Sequence, residues 1–208
     1  MKNLFKNCGL LIALSIIFSG LSACSGTANS QKGPIDEKAA TNAANAANTA
    51  VAAANESKSS DFPPIPAGVA QADVKNVDGN VYKVGDLKGK VVLLNLWATW
   101  CGPCRQEMPE LIAMEDEHKA KDFKVIGLNV DEETPEQIKG FAEKMKLNYE
   151  LAWTDENLYR ELMKVSKFSG IPQSFLIDRG GHLRGVFLGG SKNVVAQMKE
   201  NVEKVVNE

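Results

Sequence analysis

The stretch Asn95-Leu-Trp-Ala-Thr-Trp-Cys-Gly-Pro-Cys104 decides the fold of this 208-residue chain. An apolar run typical of a buried strand leads into it, and residues 105–117 have the pattern of a helix. We therefore expect Cys101 at the start of that helix and Cys104 one turn into it. Free N–H groups and the helix dipole stabilise an anion at this position, so they favour a thiolate there.

Two cysteines in this arrangement predict a redox dithiol. Cys101, as a thiolate, attacks a disulfide, and Cys104 attacks the resulting mixed disulfide and releases the substrate. Gly102 lets a partner approach closely, and Pro103 in the first turn needs no partner for its missing N–H. A zinc site would need three or four ligands, and the sequence has no second CxxC and no histidine cluster to supply them. A structural disulfide this short would close almost no loop, so we expect a redox site without a metal or cofactor.

The sequence Trp100-Cys-Gly-Pro-Cys104 between a strand and a helix resembles thioredoxin, and the wider run resembles the thioredoxin-like reductases of the TlpA/ResA group. Residues 72–84 alternate around Asp78-Gly79 and predict a β-hairpin. The hairpin and the following Asp86-Leu-Lys-Gly-Lys90 are also similar to that group. The resemblance spans residues 66–206. It implies an α/β thioredoxin-like fold, with a central mixed sheet flanked by helices and an N-terminal β-hairpin extension.

The second informative stretch is Gly170-Ile-Pro-Gln-Ser-Phe-Leu-Ile-Asp178. From the residues alone, Pro172 fits a trans proline that opens a strand. The resemblance to thioredoxin-like proteins implies a cis proline that faces the cysteines, with the backbone of Ile171 free to pair with an extended substrate segment. Trp100 flanks Cys101 and is expected to shape the site. The expected substrate-binding residues are Trp100, Gly102, Pro103, Ile171 and Pro172.

A base for Cys104 is missing from the places where thioredoxin has its ionisable pair. Thioredoxins carry an aspartate six residues before the first cysteine and a lysine on the next strand, whereas the matching positions here are Asn95 and Gly127. The ResA-like pattern places a glutamate shortly after the third strand, which implies Glu132 as the base and Asp131 as second choice. Partial burial would raise the pKa of Glu132 and suit it to this role. Acids before a helix also suit its dipole without any catalytic role.

The N-terminus has the pattern of a targeting segment. Lys2 and Lys6 precede an apolar run at residues 9–21 that is short for a membrane span. The run ends in Leu21-Ser-Ala-Cys24, which resembles a bacterial lipobox. The resemblance implies a lipoprotein signal peptide at residues 1–23 and a membrane anchor through lipid on Cys24. A plain cleaved signal peptide and an uncleaved anchor are the alternatives.

Composition and cysteine usage limit the possible cellular compartment and the possible partners. Residues 24–61 are rich in Ala, Asn and Ser and predict a flexible linker, which leaves residues 62–208 as one domain. Loss of Cys8 with the signal peptide and acylation of Cys24 would leave a single pair of thiols, suited to exchange rather than to structural cross-linking. The net charge of −2, without a basic cluster among aromatic residues, argues against nucleic acid as a partner. We expect a monomer in the cell envelope, facing the periplasm or the cell exterior.

The expected function is a membrane-tethered thiol–disulfide oxidoreductase that reduces protein disulfides and is recharged by a membrane or envelope thiol reductant. Gly-Pro between the cysteines favours the reducing direction, although potentials of CxxC proteins range from about −270 to −120 mV. The resemblance implies tasks such as cytochrome c maturation or rescue of oxidised envelope proteins. One alternative is a thiol peroxidase of the peroxiredoxin type, but Thr99 lies two residues before Cys101 rather than three. A non-catalytic binding module with the same fold is the other.

Overall fold

The computed structural model describes residues 61–208, so the expectations for the signal peptide, Cys24 and most of the linker lie outside the described residues. The strands are β1 (Asp73–Asn76), β2 (Val81–Lys83), β3 (Val91–Trp97), β4 (Phe123–Asn129), β5 (Glu150–Trp153), β6 (Gln173–Ile177) and β7 (Leu183–Leu188). The α-helices are α1 (Ala67–Ala70), α2 (Gly102–His118), α3 (Pro135–Met145), α4 (Glu156–Ser166) and α5 (Lys192–Val206). Short 3-10 helices cover Val84–Leu87 and Lys119–Lys121.

The seven strands form one mixed sheet in the order β2-β1-β5-β4-β3-β6-β7. The three central strands, β5, β4 and β3, run parallel, and β6 and β7 continue the sheet antiparallel. On the other side, β1 pairs antiparallel with β5 and carries β2 at the edge. This arrangement confirms the predicted mixed sheet and the predicted N-terminal hairpin.

Strand β3 is buried along its whole length because helices cover both faces of the sheet. Its side chains alternate between two cores: Leu93 and Trp97 pack on the side of α2, α3 and α5, whereas Leu94 and Leu96 pack on the side of α1 and α4. Each buried leucine contributes about 1.5–3 kcal/mol to stability. Asn95 is the polar exception, and the alternation directs its side chain toward α2.

Polar side chains at the helix starts fix where the helices begin. Thr134 accepts a hydrogen bond from the N–H of Gln137 at the start of α3, and Asp155 accepts one from the N–H of Leu158 at the start of α4. Threonine and aspartate are both favoured at helix N-caps. Ser191 has the same role at the start of α5.

The first described residues are attached to the turn between β6 and β7. The N–H of Ile65 donates to the carbonyl of Gly181, and the N–H of Leu183 donates to the carbonyl of Pro63. Pro64 and His182 form a β-bridge between these two bonds. The segment before α1 is therefore an ordered part of the domain.

Sequence alone predicts that His118 and His182 are solvated, and for His118 that prediction is wrong. His118 ends α2 with only 4% of its surface exposed, and its Nε2 lies 3.3 Å from the carboxylate of Glu203 on α5. His182 is half-buried and contacts Asp178.

Among residues 61–208, no helix combines the length and the apolar character that crossing a membrane requires.

Candidate active site

The two cysteines of the CxxC sequence form a disulfide at the junction of β3 and α2. Cys101 is the N-cap of α2, and its Sγ accepts a hydrogen bond of 3.2 Å from the N–H of Cys104. Their Cα atoms are 5.3 Å apart, and both residues are buried. The helix start thus directs an N–H group at the sulfur of Cys101, as the sequence predicts, and such a contact favours a thiolate in the reduced form.

The surface beside the disulfide is open. A Cβ built on Gly102 meets nothing within 4 Å, and Pro103 is exposed. Trp100 has 65% of its surface exposed and is held beside Cys101 by a hydrogen bond of 2.6 Å from its indole N–H to Asp131. A partner therefore has room to approach over Gly102 with an aromatic ring at one side.

The peptide bond between Ile171 and Pro172 is cis. A Cβ built on Gly190 would lie 2.8 Å from the carbonyl oxygen of Pro103 and 3.3 Å from Cγ of Pro172, so the cysteine loop and the cis proline face each other across this glycine. The carbonyl of Pro172 accepts a hydrogen bond of 2.9 Å from the N–H of Gly189. The loop after β7 thus forms a third side of the site, beside the cysteine loop and the cis proline. The sequence analysis does not predict it.

The acidic loop after β4 gives its three carboxylates different surroundings. Asp131 binds the indole of Trp100, and Glu133 accepts hydrogen bonds from Thr99 at 2.6 Å and from Asn129 at 2.7 Å. Glu132, which lies between these two acids, is exposed. The partial burial expected for Glu132 is therefore absent, because its neighbours face the protein and it faces solvent.

The buried acid of the site is Glu107, which is not among the residues predicted from the sequence. It lies on α2 one turn after Cys104 and has 3% of its surface exposed. Burial raises the pKa of Glu107 to about 7, and a hydrogen bond from the side chain of Asn95 partly opposes that rise. The amide of Asn95 donates to Glu107 at 2.7 Å and to Ser174 on β6 at 3.0 Å. A carboxyl group that changes charge near neutral pH therefore lies behind the cysteines.

Helical periodicity would have revealed this acid. Cys104, Glu107, Met108 and Leu111 follow the spacing of one buried helical stripe, and all four are buried. A glutamate on such a stripe is either paired or neutral. Asn95 pairs with Gly127 in the register of β3 and β4, so the two positions compared with thioredoxin are neighbours in the sheet.

Taken together, these groups suit thiol–disulfide exchange. The start of α2 stabilises a thiolate on Cys101, Cys104 is one turn away, and Glu107 is a buried group with a pKa suited to moving a proton at neutral pH. Cys101 and Cys104 already form the disulfide that such a reaction leaves.

Comparisons with known proteins agree with this chemistry. Residues 67–186 match the AhpC/TSA family. The thiol-disulfide oxidoreductase ResA of Bacillus thuringiensis subsp. konkukian is 32% identical over 132 residues, which cover 64% of this chain and 73% of that protein. The thioredoxin-like protein YneN of Bacillus subtilis is 30% identical over 118 residues, which cover 56% of this chain and 66% of that protein.

Comparison with a solved structure also relates this chain to thiol–disulfide exchange proteins. A thiol:disulfide interchange protein of the thioredoxin family from Chlorobium tepidum TLS is 27% identical, with a TM-score of 0.59, and the match covers 71% of this chain and 98% of that chain. The expected thioredoxin-like fold and the expected enzyme class are thereby confirmed. The chain belongs to the AhpC/TSA family and is a ResA-like thiol–disulfide oxidoreductase.

Proposed function

We propose that this oxidoreductase acts outside the cytoplasm as a lipid-anchored reductase of protein disulfides. The anchor rests on the lipobox-like Leu21-Ser-Ala-Cys24 behind a basic and apolar leader. The reducing direction rests on Gly-Pro between the cysteines. The observation that carries the proposed chemistry is the position of Cys101 at the start of α2, with the buried Glu107 behind Cys104.

The reaction begins with attack by the Cys101 thiolate on one sulfur of a substrate disulfide. The substrate S–S bond breaks, one substrate thiolate leaves and takes a proton, and a mixed disulfide with Cys101 forms. Cys104 then gives its proton to Glu107 and attacks Sγ of Cys101, which releases the second substrate thiol. Two electrons pass from the enzyme dithiol to the substrate, and the enzyme keeps the Cys101–Cys104 disulfide.

Glu107 is the base in this proposal because of its burial and its pKa of about 7. The base role of Glu132 stays a prediction from family resemblance, and its exposure gives it less support. Replacing each acid by glutamine separates the two assignments.

The proposed substrate surface consists of the exposed groups around the disulfide. Its two sides are formed by the exposed indole of Trp100 and by the cis proline, with open space over Gly102 between them. An extended polypeptide pairs with the backbone of Ile171 in this proposal, which is a form of strand addition. The proposed substrate-binding residues are Trp100, Gly102, Pro103, Ile171 and Pro172.

A membrane or envelope thiol reductant restores the dithiol in this proposal. Following the tasks implied by the TlpA/ResA resemblance, the substrates include apocytochromes during cytochrome c maturation and oxidised envelope proteins. Replacing Cys24 with serine tests the anchor separately: the variant protein should leave the membrane fraction and keep its exchange activity in solution.

The test of direction is the reduction potential of the Cys101/Cys104 pair, measured by equilibration in glutathione or dithiothreitol buffers. We expect a value closer to about −270 mV than to about −120 mV, together with reduction of insulin disulfides. A value at the oxidising end would contradict a reductase and indicate a disulfide donor. Rapid peroxide consumption by the reduced protein, without a protein disulfide present, would instead support the peroxidase alternative.

A further inference from the structure

Glu117, His118 and Glu203 form a cluster of metal-ligating side chains away from the cysteines. Glu117 and His118 are the last two residues of α2, and Glu203 lies in the last turn of α5. One nitrogen of the imidazole and one oxygen of each carboxylate all lie within 4.8 Å of one another. The cluster therefore joins the ends of two helices that pack in the same core.

His118 is the buried member of this cluster. Only 5% of its side chain is exposed, and its ring packs edge-on against Phe123 with the ring centroids 5.8 Å apart. Nδ1 of His118 has no hydrogen-bond partner among residues 61–208. Buried polar groups are normally paired, and an exception needs an explanation such as an ordered water or a bound ion. Packing thus holds an imidazole whose other nitrogen, Nε2, faces a carboxylate.

The distance between His118 and Glu203 fits two ligands of zinc. Nε2 of His118 lies 3.3 Å from Oε2 of Glu203. Zinc binds imidazole nitrogen and carboxylate oxygen at about 2.0–2.2 Å in tetrahedral geometry, which places neighbouring ligand atoms about 3.3–3.5 Å apart. These two atoms therefore already have the required separation. The exposed carboxylate of Glu117 supplies a third ligand, and water can take the fourth position.

A neighbouring amide orients the carboxylate of Glu203. The side-chain N–H of Asn207 donates a hydrogen bond of 2.6 Å to Oε1 of Glu203, while Oε2 of the same carboxylate faces His118. Contacts of this kind orient the ligands in metal sites and raise their affinity.

The charges around the cluster also favour a cation. Both α2 and α5 end there, and the end of a helix carries the negative pole of its dipole. The opposing charge is Lys199, which is within electrostatic reach of Glu117. Its ammonium group is already paired with Glu110 at 2.7 Å, so the carboxylate of Glu117 remains available to a metal ion.

We propose that Glu117, His118 and Glu203 form a zinc site that joins the end of α2 to the end of α5. Calcium and magnesium prefer oxygen ligands throughout, so the histidine favours zinc. From Cys104 to His118 the helix rises about 21 Å, so zinc bound here does not touch the sulfur atoms. The metal ion stabilises the helix that carries the cysteines from its far end.

Zinc titration of the untagged full chain tests the proposal. Cys8→Ser and Cys24→Ser are introduced and the Cys101–Cys104 disulfide is kept, so that no thiolate competes for the metal. In isothermal titration calorimetry, zinc chloride should bind with one-to-one stoichiometry. At about ten times its dissociation constant, zinc should raise the melting temperature by about 4 °C.

Substitutions at the exposed ligands test which residues hold the ion. Glu117→Gln and Glu203→Gln should each weaken zinc binding by about tenfold or more, and Asn207→Ala should weaken it by about tenfold without removing a ligand. Asp116→Asn is the matched control because it removes the same charge from α2, and its carboxylate binds Lys119 instead. Its zinc affinity should stay within about twofold of the parent.

NMR of the histidine rings gives a readout that needs no variant of the site. Zinc on Nε2 leaves the ring proton on Nδ1, so the ring nitrogen signals of His118 should change when zinc is added. Those of His182, which contacts Asp178 in the turn after β6, should not change. Absence of zinc binding or unchanged His118 signals would overturn the inference. An equal loss of affinity in Asp116→Asn, or equally tight binding of calcium, would show general attraction to acidic groups and would overturn it as well.

Discussion

The side-chain amide of Asn95 donates a hydrogen bond of 2.7 Å to Glu107, and this bond joins the central strand to the helix that carries both cysteines. Where thioredoxin has its acid on the strand, this protein has an uncharged amide there and the acid on the facing helix. The amide favours the charged form of Glu107, whereas burial favours the neutral form, and burial has the larger effect. The pair therefore holds a carboxyl group close to half-ionisation at neutral pH.

The two cysteines should have unequal roles. Cys101→Ser should abolish reduction of insulin disulfides, because no nucleophile remains at the start of α2. Cys104→Ser should accumulate a mixed disulfide between Cys101 and a substrate peptide, visible by mass spectrometry and reversed by dithiothreitol. Accumulation in Cys101→Ser instead would reverse the assignment.

Removing the buried acid should slow resolution of the mixed disulfide. Glu107→Gln keeps an acceptor for the Asn95 amide but cannot take a proton, so the resolution rate at pH 7 should fall by about 10²-fold, and its inflection near neutral pH should disappear. Stopped-flow tryptophan fluorescence follows this step. Glu132→Gln is the matched control, and it should stay within about twofold of the parent because that carboxylate is exposed.

The same acid makes stability depend on pH. The pKa of Glu107 is about 7 in the folded protein against an ordinary value of 4.5, so between these pH values the native state binds a proton that the unfolded state has lost. Stability should therefore decrease as pH rises through this window and level off above it. Glu107→Gln should gain relative to the parent by at most about 3 kcal/mol at pH 8 and by little at pH 4, as measured by urea unfolding. Parallel pH profiles for the two proteins would contradict a buried Glu107 with a raised pKa.

The glycine between the cysteine loop and the cis proline should tolerate no side chain. A Cβ on Gly190 would lie 2.8 Å from a backbone oxygen, so Gly190→Ala must displace one wall of the site and should cost about 1–3 kcal/mol in stability as well as lowering the exchange rate. For Gly102→Ala the space is open, so its unfolding midpoint should equal or exceed that of the parent. Similar losses of stability in both variants would show that the close approach at Gly190 is not the cause.

Most of the fold can be predicted from local sequence patterns. The apolar run of β3 and the position of Cys101 each depend on a few neighbouring residues, and both lie where the sequence predicts them. The buried acid Glu107 is the exception. Its signal, a glutamate on the buried stripe of α2, is present in the sequence, but the prediction of Glu132 as the base rests on family resemblance and does not use that periodicity.

Other features of the site depend on contacts between distant segments, which no local pattern reports. Gly190 approaches Pro103 across more than 80 residues of chain, and the rings of Trp97 and Tyr149 pack closely against Gly127 of β4. The burial of His118 likewise depends on α5, which packs beside α2 only in the folded protein. The sequence names each of these residues, but only the tertiary structure shows which side chains surround it.

The bridge between Pro64 and His182 fixes where the N-terminal segment enters the domain. Strand β6 begins beside the cysteines and runs antiparallel to β3, so the turn that follows it lies at the opposite end of the sheet, about 20 Å away along seven strand residues. The described chain therefore enters the domain at the end of the sheet opposite the thiols. A polypeptide that binds over Gly102 would thus lie a full sheet length away from this entry point.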